Sequence, residues 1–173
     1  MESKAKMFGH AIHPIMIVFP FGLLATAVIF DVLYLTTANT TWSTVSFWMI
    51  VAGLIGGLVA ALFGLIDYLN IPGNTRAKRI GIYHAAVNLG AMILFAASLM
   101  FRWNVPQTPA TIAFVCSFAG VLFALLGGWF GGELVERLGV GVSSEANLNA
   151  PNSLTRGRAF DVDVRQHDVR HTA

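Results

Sequence analysis

The chain has 173 residues, 55% of them hydrophobic and only 12% charged, against roughly 25% charged in an ordinary soluble domain. That composition excludes a soluble globular enzyme and points to one compact helical unit in a membrane. The net charge of +2 comes without a basic stripe interleaved with aromatics, so a nucleic-acid partner is excluded as well.

The first element opens with Phe8-Gly-His-Ala-Ile-His-Pro14 and continues as an apolar run to about Leu35. Lys4 and Lys6 ahead of this run, with Ala25-Thr-Ala27 inside it, imitate a signal peptide. The run is too long for a signal core, and we read it as a retained span from about Pro14 to Thr36. Pro14 suits a first helical turn, where its missing N–H has no intrahelical partner anyway. Pro20 removes a helical hydrogen bond farther in and predicts a kink. His10 and His13 are three apart, which places both imidazoles on one face if the helix extends back through Gly9.

Three more stretches are long enough to cross a hydrocarbon core, at about Thr44–Leu69, Ile80–Trp103 and Ala110–Leu138, since about 20 helical residues suffice. Lipid leaves no solvent for unpaired backbone groups, and the strict alternation of a barrel is missing, so these runs are helices. The links Thr37–Ser43, Asn70–Arg79 and Asn104–Pro109 are short. They predict an all-α fold, a four-helix up-down-up-down transmembrane bundle over residues 1–140. The second run carries Gly53, Gly57, Ala60 and Gly64, and the fourth carries Gly127, Gly128, Gly131 and Gly132. Small residues at such spacing let helices approach closely.

Residues 141–173 are polar and lack an apolar period, which predicts a disordered cytoplasmic tail. Asp163, His167 and His171 fall there at four-residue steps, read as a solvated segment. Cys116, the only cysteine, lies in an apolar run and rules out a disulfide framework or a CxxC metal site.

Lys4, Lys6, Arg76, Lys78, Arg79 and Arg137 all fall on one side of the expected hairpins, and only Arg102 on the other. The positive-inside rule then puts both termini in the cytoplasm, with Trp42, Trp48 and Trp103 at the outer interface. The same order gathers His10, His13, Asp67, His84, Glu133 and Glu136 at the cytoplasmic end, with Asn88 one turn deeper. Ionisable groups in spans are costly and suggest a site. Three readings follow. His10, His13 and His84 with Asp67 or Glu133 bind a divalent metal. Alternatively His84 pairs with His13 or His10 across the iron of haem b, and Asp67 or Glu133 accepts a hydrogen bond from one of the rings. In the third, no cofactor exists, the acids pair with Arg76, Lys78, Arg79 or Arg137, and the histidines form an interfacial polar collar. Asp31 and Arg102, near the outer end, are expected to pair with each other. No nucleophile–base arrangement or phosphate-cradling loop is present, which disfavours hydrolase and nucleotide-binding readings.

The segments Gly9-His-Ala-Ile-His-Pro14 and Val18-Phe-Pro-Phe-Gly-Leu23 resemble the opening of a bacterial family of predicted membrane proteins, domain-of-unknown-function family 2231. Gly64-Leu-Ile-Asp-Tyr68, Ile71-Pro-Gly-Asn-Thr-Arg-Ala-Lys-Arg79 and His84 are similar to its middle, and Gly128-Trp-Phe-Gly-Gly-Glu-Leu-Val135 to its last span. The resemblance covers roughly residues 8–150. It implies a four-helix protein of the bacterial inner membrane, and relatives joined to redox modules tilt its role toward electron transfer with a redox-protein partner. The competing class is a cofactor-free structural or interaction subunit of a membrane complex.

Overall fold

The computed structural model describes residues 1–154, so Asp163, His167 and His171 lie outside the described residues. The described chain contains a short hairpin, β1 (Lys6–Met7) and β2 (His10–Ala11), and four long helices. These are α1 (Ile12–Thr37), α2 (Thr40–Asn70), α3 (Arg76–Arg102) and α4 (Thr111–Gly132), the last running into a π-helical turn over Glu133–Arg137. All four are long and apolar enough to cross a membrane. At about 1.5 Å per residue, even the 22 residues of α4 exceed a hydrocarbon thickness of about 30 Å.

The helices are longer at their ends than apolarity alone predicts, because caps extend them. Asn39 accepts a hydrogen bond from the Thr41 N–H and starts α2 at Thr40 rather than Thr44. Thr75 accepts from the Lys78 N–H, so Arg76, Lys78 and Arg79 form the first turn of α3 instead of a loop. Asn and Thr are favoured at such positions because a side-chain oxygen satisfies one of the orphan amides. At the other end of α1, Ala38 adopts a left-handed conformation and returns its N–H to Tyr34 O. The link between α1 and α2 is therefore only Ala38 and Asn39.

Within the α1–α2 pair and within the α3–α4 pair, the contacts run in opposite chain directions. From one end of α1 to the other, His13 lies against Gly64, Pro20 against Gly57, and Leu24 against Gly53 of α2. On α3, His84 meets Gly131, Asn88 meets Gly127, and Phe95 meets Gly120 of α4. Packing is dense within these two hairpins and lighter where the hairpins meet each other. The core is small: Leu24, Ala27, Ile50 and Phe95. Large apolar side chains such as Leu58, Leu62, Leu89, Ile93 and Leu122 point outward instead. Small residues inside and large apolar ones outside is the distribution expected where lipid, not water, is the solvent.

Residues 1–5 and 139–144 join beside the N-terminus of α1 and the C-terminal end of α2. The Met1 ammonium donates to Gly139 O at 3.0 Å, and the Gly141 N–H to Met1 O at 2.8 Å. The Glu2 carboxylate accepts from Ser143 Oγ, Ser144 N and Ser144 Oγ, and pairs with Lys6. The expected tail thus begins with a stretch pinned to the N-terminus, and its described remainder, to Leu154, consists of turns and irregular backbone.

Candidate functional site

His13 sits in the first turn of α1, where the helix opens at Ile12, and its Nδ1 lies 2.9 Å from Ala60 O of α2. The ring passes over Gly64: a Cβ there would stand 2.8 Å from its Cε1. His84, two turns into α3, repeats the arrangement. Its Nδ1 lies 2.9 Å from Gly127 O of α4 and its Cε1 over Gly131. A carbonyl can only accept, so in both rings Nδ1 carries a proton, and in the neutral ring the lone pair is on Nε2. The two rings meet edge-on across the seam between the hairpins, with 6.2 Å between centroids and 85° between planes. Asn88, one turn on from His84, donates to His84 O at 2.7 Å with its amide also 3.4 Å from the ring. Gly127 leaves room for that amide, since a Cβ would approach its Oδ1 to 2.5 Å.

The other expected members of the cluster stand apart. His10 does not share a helical face with His13. Phe8 and Gly9 have positive φ values of 51° and 84°, and this two-residue reversal puts His10 in β2, exposed, with Nδ1 facing Phe8 O at 3.2 Å. A two-residue turn of this kind needs positive φ at both central positions, which Gly9 supplies readily and Phe8 only under constraint. Asp67 accepts from Ser3 Oγ at 2.7 Å and from the Lys4 N–H at 3.1 Å, so it anchors the N-terminal segment. Glu133 pairs with Arg76 across α3 and the π-helical turn. Neither carboxylate receives a hydrogen bond from a histidine ring. The carbonyls of Ala60 and Gly127 take the orienting role expected of them. Among the described residues, no three His, Cys, Asp or Glu side chains converge as a metal-binding group.

A second polar cluster lies toward the other end of the bundle. Asp31 and Arg102 pair through the two terminal guanidinium nitrogens, Nη1 to Oδ1 at 2.8 Å and Nη2 to Oδ2 at 3.0 Å, and both side chains are fully buried. Ser117 Oγ donates to Asp31 Oδ2 at 2.6 Å, while Ser46 and Ser98 accept from Arg102 at 3.1 and 3.0 Å. All four helices therefore contribute to one network. Sequence reasoning found the ion pair near the ends of α1 and α3 but not its three serines. A single serine in an apolar helix is common, and only their convergence distinguishes these three.

The family described as "Predicted membrane protein (DUF2231)" matches residues 9–144. No curated protein and no solved structure matches the chain. The match takes in both histidines, the buried ion pair and all four helices, so the chain belongs to the DUF2231 family of predicted membrane proteins.

Proposed function

We propose that this protein is a membrane electron-transfer protein that holds haem b between His13 and His84. The observation that carries the reading is the paired orientation of the two rings. Each Nδ1–H is tied to a backbone carbonyl, which leaves both Nε2 atoms basic and fixed, as in metal-ligating histidines generally. The two ring centres lie 6.2 Å apart, so His13 from one hairpin and His84 from the other would be the residues that hold the haem iron. A bare divalent ion would find two protein ligands here, whereas a porphyrin brings the remaining four. This favours haem over the metal reading. Haem so held supplies one-electron chemistry, and its potential would respond to the burial of the site.

In this reading Asp67 and Glu133 are not ligands; they fasten the N-terminal segment and the π-helical turn around the site. His10 is not a ligand either. The up-down-up-down crossing, with both termini in the cytoplasm of a bacterial inner membrane, is supported by the antiparallel contacts and by the basic residues gathered at one end. A redox-protein partner would then dock at that cytoplasmic end.

The test is spectroscopic. Protein purified from native membranes should show a Soret band that shifts on reduction. Its oxidised form should give the low-spin signal that ligation by both His13 and His84 would produce. A preparation that is colourless after haem supplementation, with His84→Ala as stable as the parent, would leave only the structural polar collar.

A further inference from the structure

The two hairpins are copies of one design. His84 follows His13 by 71 positions, Phe95 follows Leu24 by 71, and Arg102 follows Asp31 by 71. On the partner helices, Gly120 follows Gly53, Gly127 follows Ala60, and Gly131 follows Gly64, each by 67. The contacts repeat with the residues. Leu24 on Gly53 becomes Phe95 on Gly120, and His13 on Gly64 becomes His84 on Gly131. His13 to Ala60 O becomes His84 to Gly127 O, each at 2.9 Å.

Equivalent residues also meet each other across the seam. His13 faces His84 and Asp31 faces Arg102, which is what happens on the axis of a two-fold interface. Contacts off the axis come in exchanged pairs: Ser117 of the second hairpin bonds Asp31 of the first, and Ser46 of the first bonds Arg102 of the second. These serines are 71 apart, one helical turn out of step with the glycine register. Parallel repeats about an axis along the membrane normal are a known way to build membrane bundles.

We infer that the chain is a duplicated helix hairpin whose two halves recognise each other as unlike partners. The histidines form one end of their shared axis, and Asp31 with Arg102 is the charge lock at the other. Two first halves would bury aspartate against aspartate, and two second halves arginine against arginine. Only the unlike pair is neutral. Buried like charges without partners are strongly unfavourable in a spanning segment, so the lock selects the partner even where the pair adds little net stability. The inference does not depend on what the histidines bind.

The test is a charge exchange in the full chain, read by the yield of monodisperse protein in detergent and by its thermal midpoint. Asp31→Arg alone and Arg102→Asp alone should each lower the yield at least about tenfold. The double exchange should recover it to within about threefold, because serine hydroxyls donate or accept equally well. A double variant no better than the singles, or singles as good as the parent, would overturn the lock. A circular permutant opened between Pro72 and Gly73, with Ala173 joined to Met1, keeps every residue but reverses the order of the halves. It should fold with an unchanged midpoint, since Met1 already lies against Gly139. Loss of the folded species would overturn the equivalence of the halves.

Discussion

Two glycines, Gly64 and Gly131, set how closely the histidines can sit to the partner helices. Gly64 is required beneath His13, where a Cβ would fall 2.8 Å from Cε1 and 2.9 Å from Nδ1 of the ring. Gly64→Ala should displace the imidazole from Ala60 O and destabilise the protein by about 1–3 kcal/mol, the usual cost of overpacking. Gly22 is the matched control, with nothing within 4 Å of its would-be Cβ. There alanine should be neutral or gain up to about 1 kcal/mol through helix propensity. Thermal denaturation of both variants in the same detergent checks the contrast. At the buried ion pair, Ser117→Ala removes a donor to Asp31 Oδ2 and should cost about 1–3 kcal/mol, because the carboxylate oxygen stays buried. Glu2 adds a pH-dependent contact outside the membrane. The Lys6 ammonium, then the Ser144 amide and the Ser143 hydroxyl, hold its carboxyl at a pKa of about 2, down from 4.5. A lowered folded pKa gives stability that is complete above the unfolded value and disappears as pH falls through the folded one. The junction of residues 1–5 with 139–144 should therefore loosen between about pH 4.5 and 2. Limited proteolysis at the N-terminus should accelerate in that window, and Glu2→Gln should remove the dependence.

At the scale of elements, the helix ends depend on single capping side chains. Thr75→Ala leaves the Lys78 N–H without its partner and should cost about 0.5–2 kcal/mol, with faster amide exchange confined to the first turn of α3. The four helices were legible in the sequence because lipid imposes a coarse signal, about 20 apolar residues in a row. Their ends were not, because polar first turns such as Thr40–Ser43 and Arg76–Arg79 look like loops until the caps Asn39 and Thr75 are recognised. The hairpin that removes His10 was equally hidden. It rests on a left-handed Phe8, a conformation that phenylalanine seldom adopts. Spacing alone therefore assigned His10 and His13 to one face. The stripe of α2 and Gly127 and Gly131 of α4 did point inward as expected, whereas Gly128 is exposed and Gly132 has nothing within 4 Å of a would-be Cβ; the inward contacts locate both histidines and Asn88.

For the whole molecule, polar chemistry is concentrated where the two hairpins meet. The seam carries the histidine pair toward one end and the Asp31–Arg102 network toward the other, 18 positions along α1 and α3, or about 27 Å of helix. The pairing of Asp31 with Arg102 was readable as a lone acid and a lone base at one level. The choice of His13 over His10, and of carbonyls over Asp67 and Glu133, was not, because it depends on which backbone oxygens the glycines leave accessible. We propose that His13 and His84 together hold the haem and that His10 does not, which is tested by haem content per chain, by absorbance and iron analysis, in the parent and in His10→Ala, His13→Ala and His84→Ala. The predicted result is about one haem in the parent and in His10→Ala, and loss of low-spin haem in each of the other two. Equal haem in all four proteins, or loss in His10→Ala alone, would contradict it.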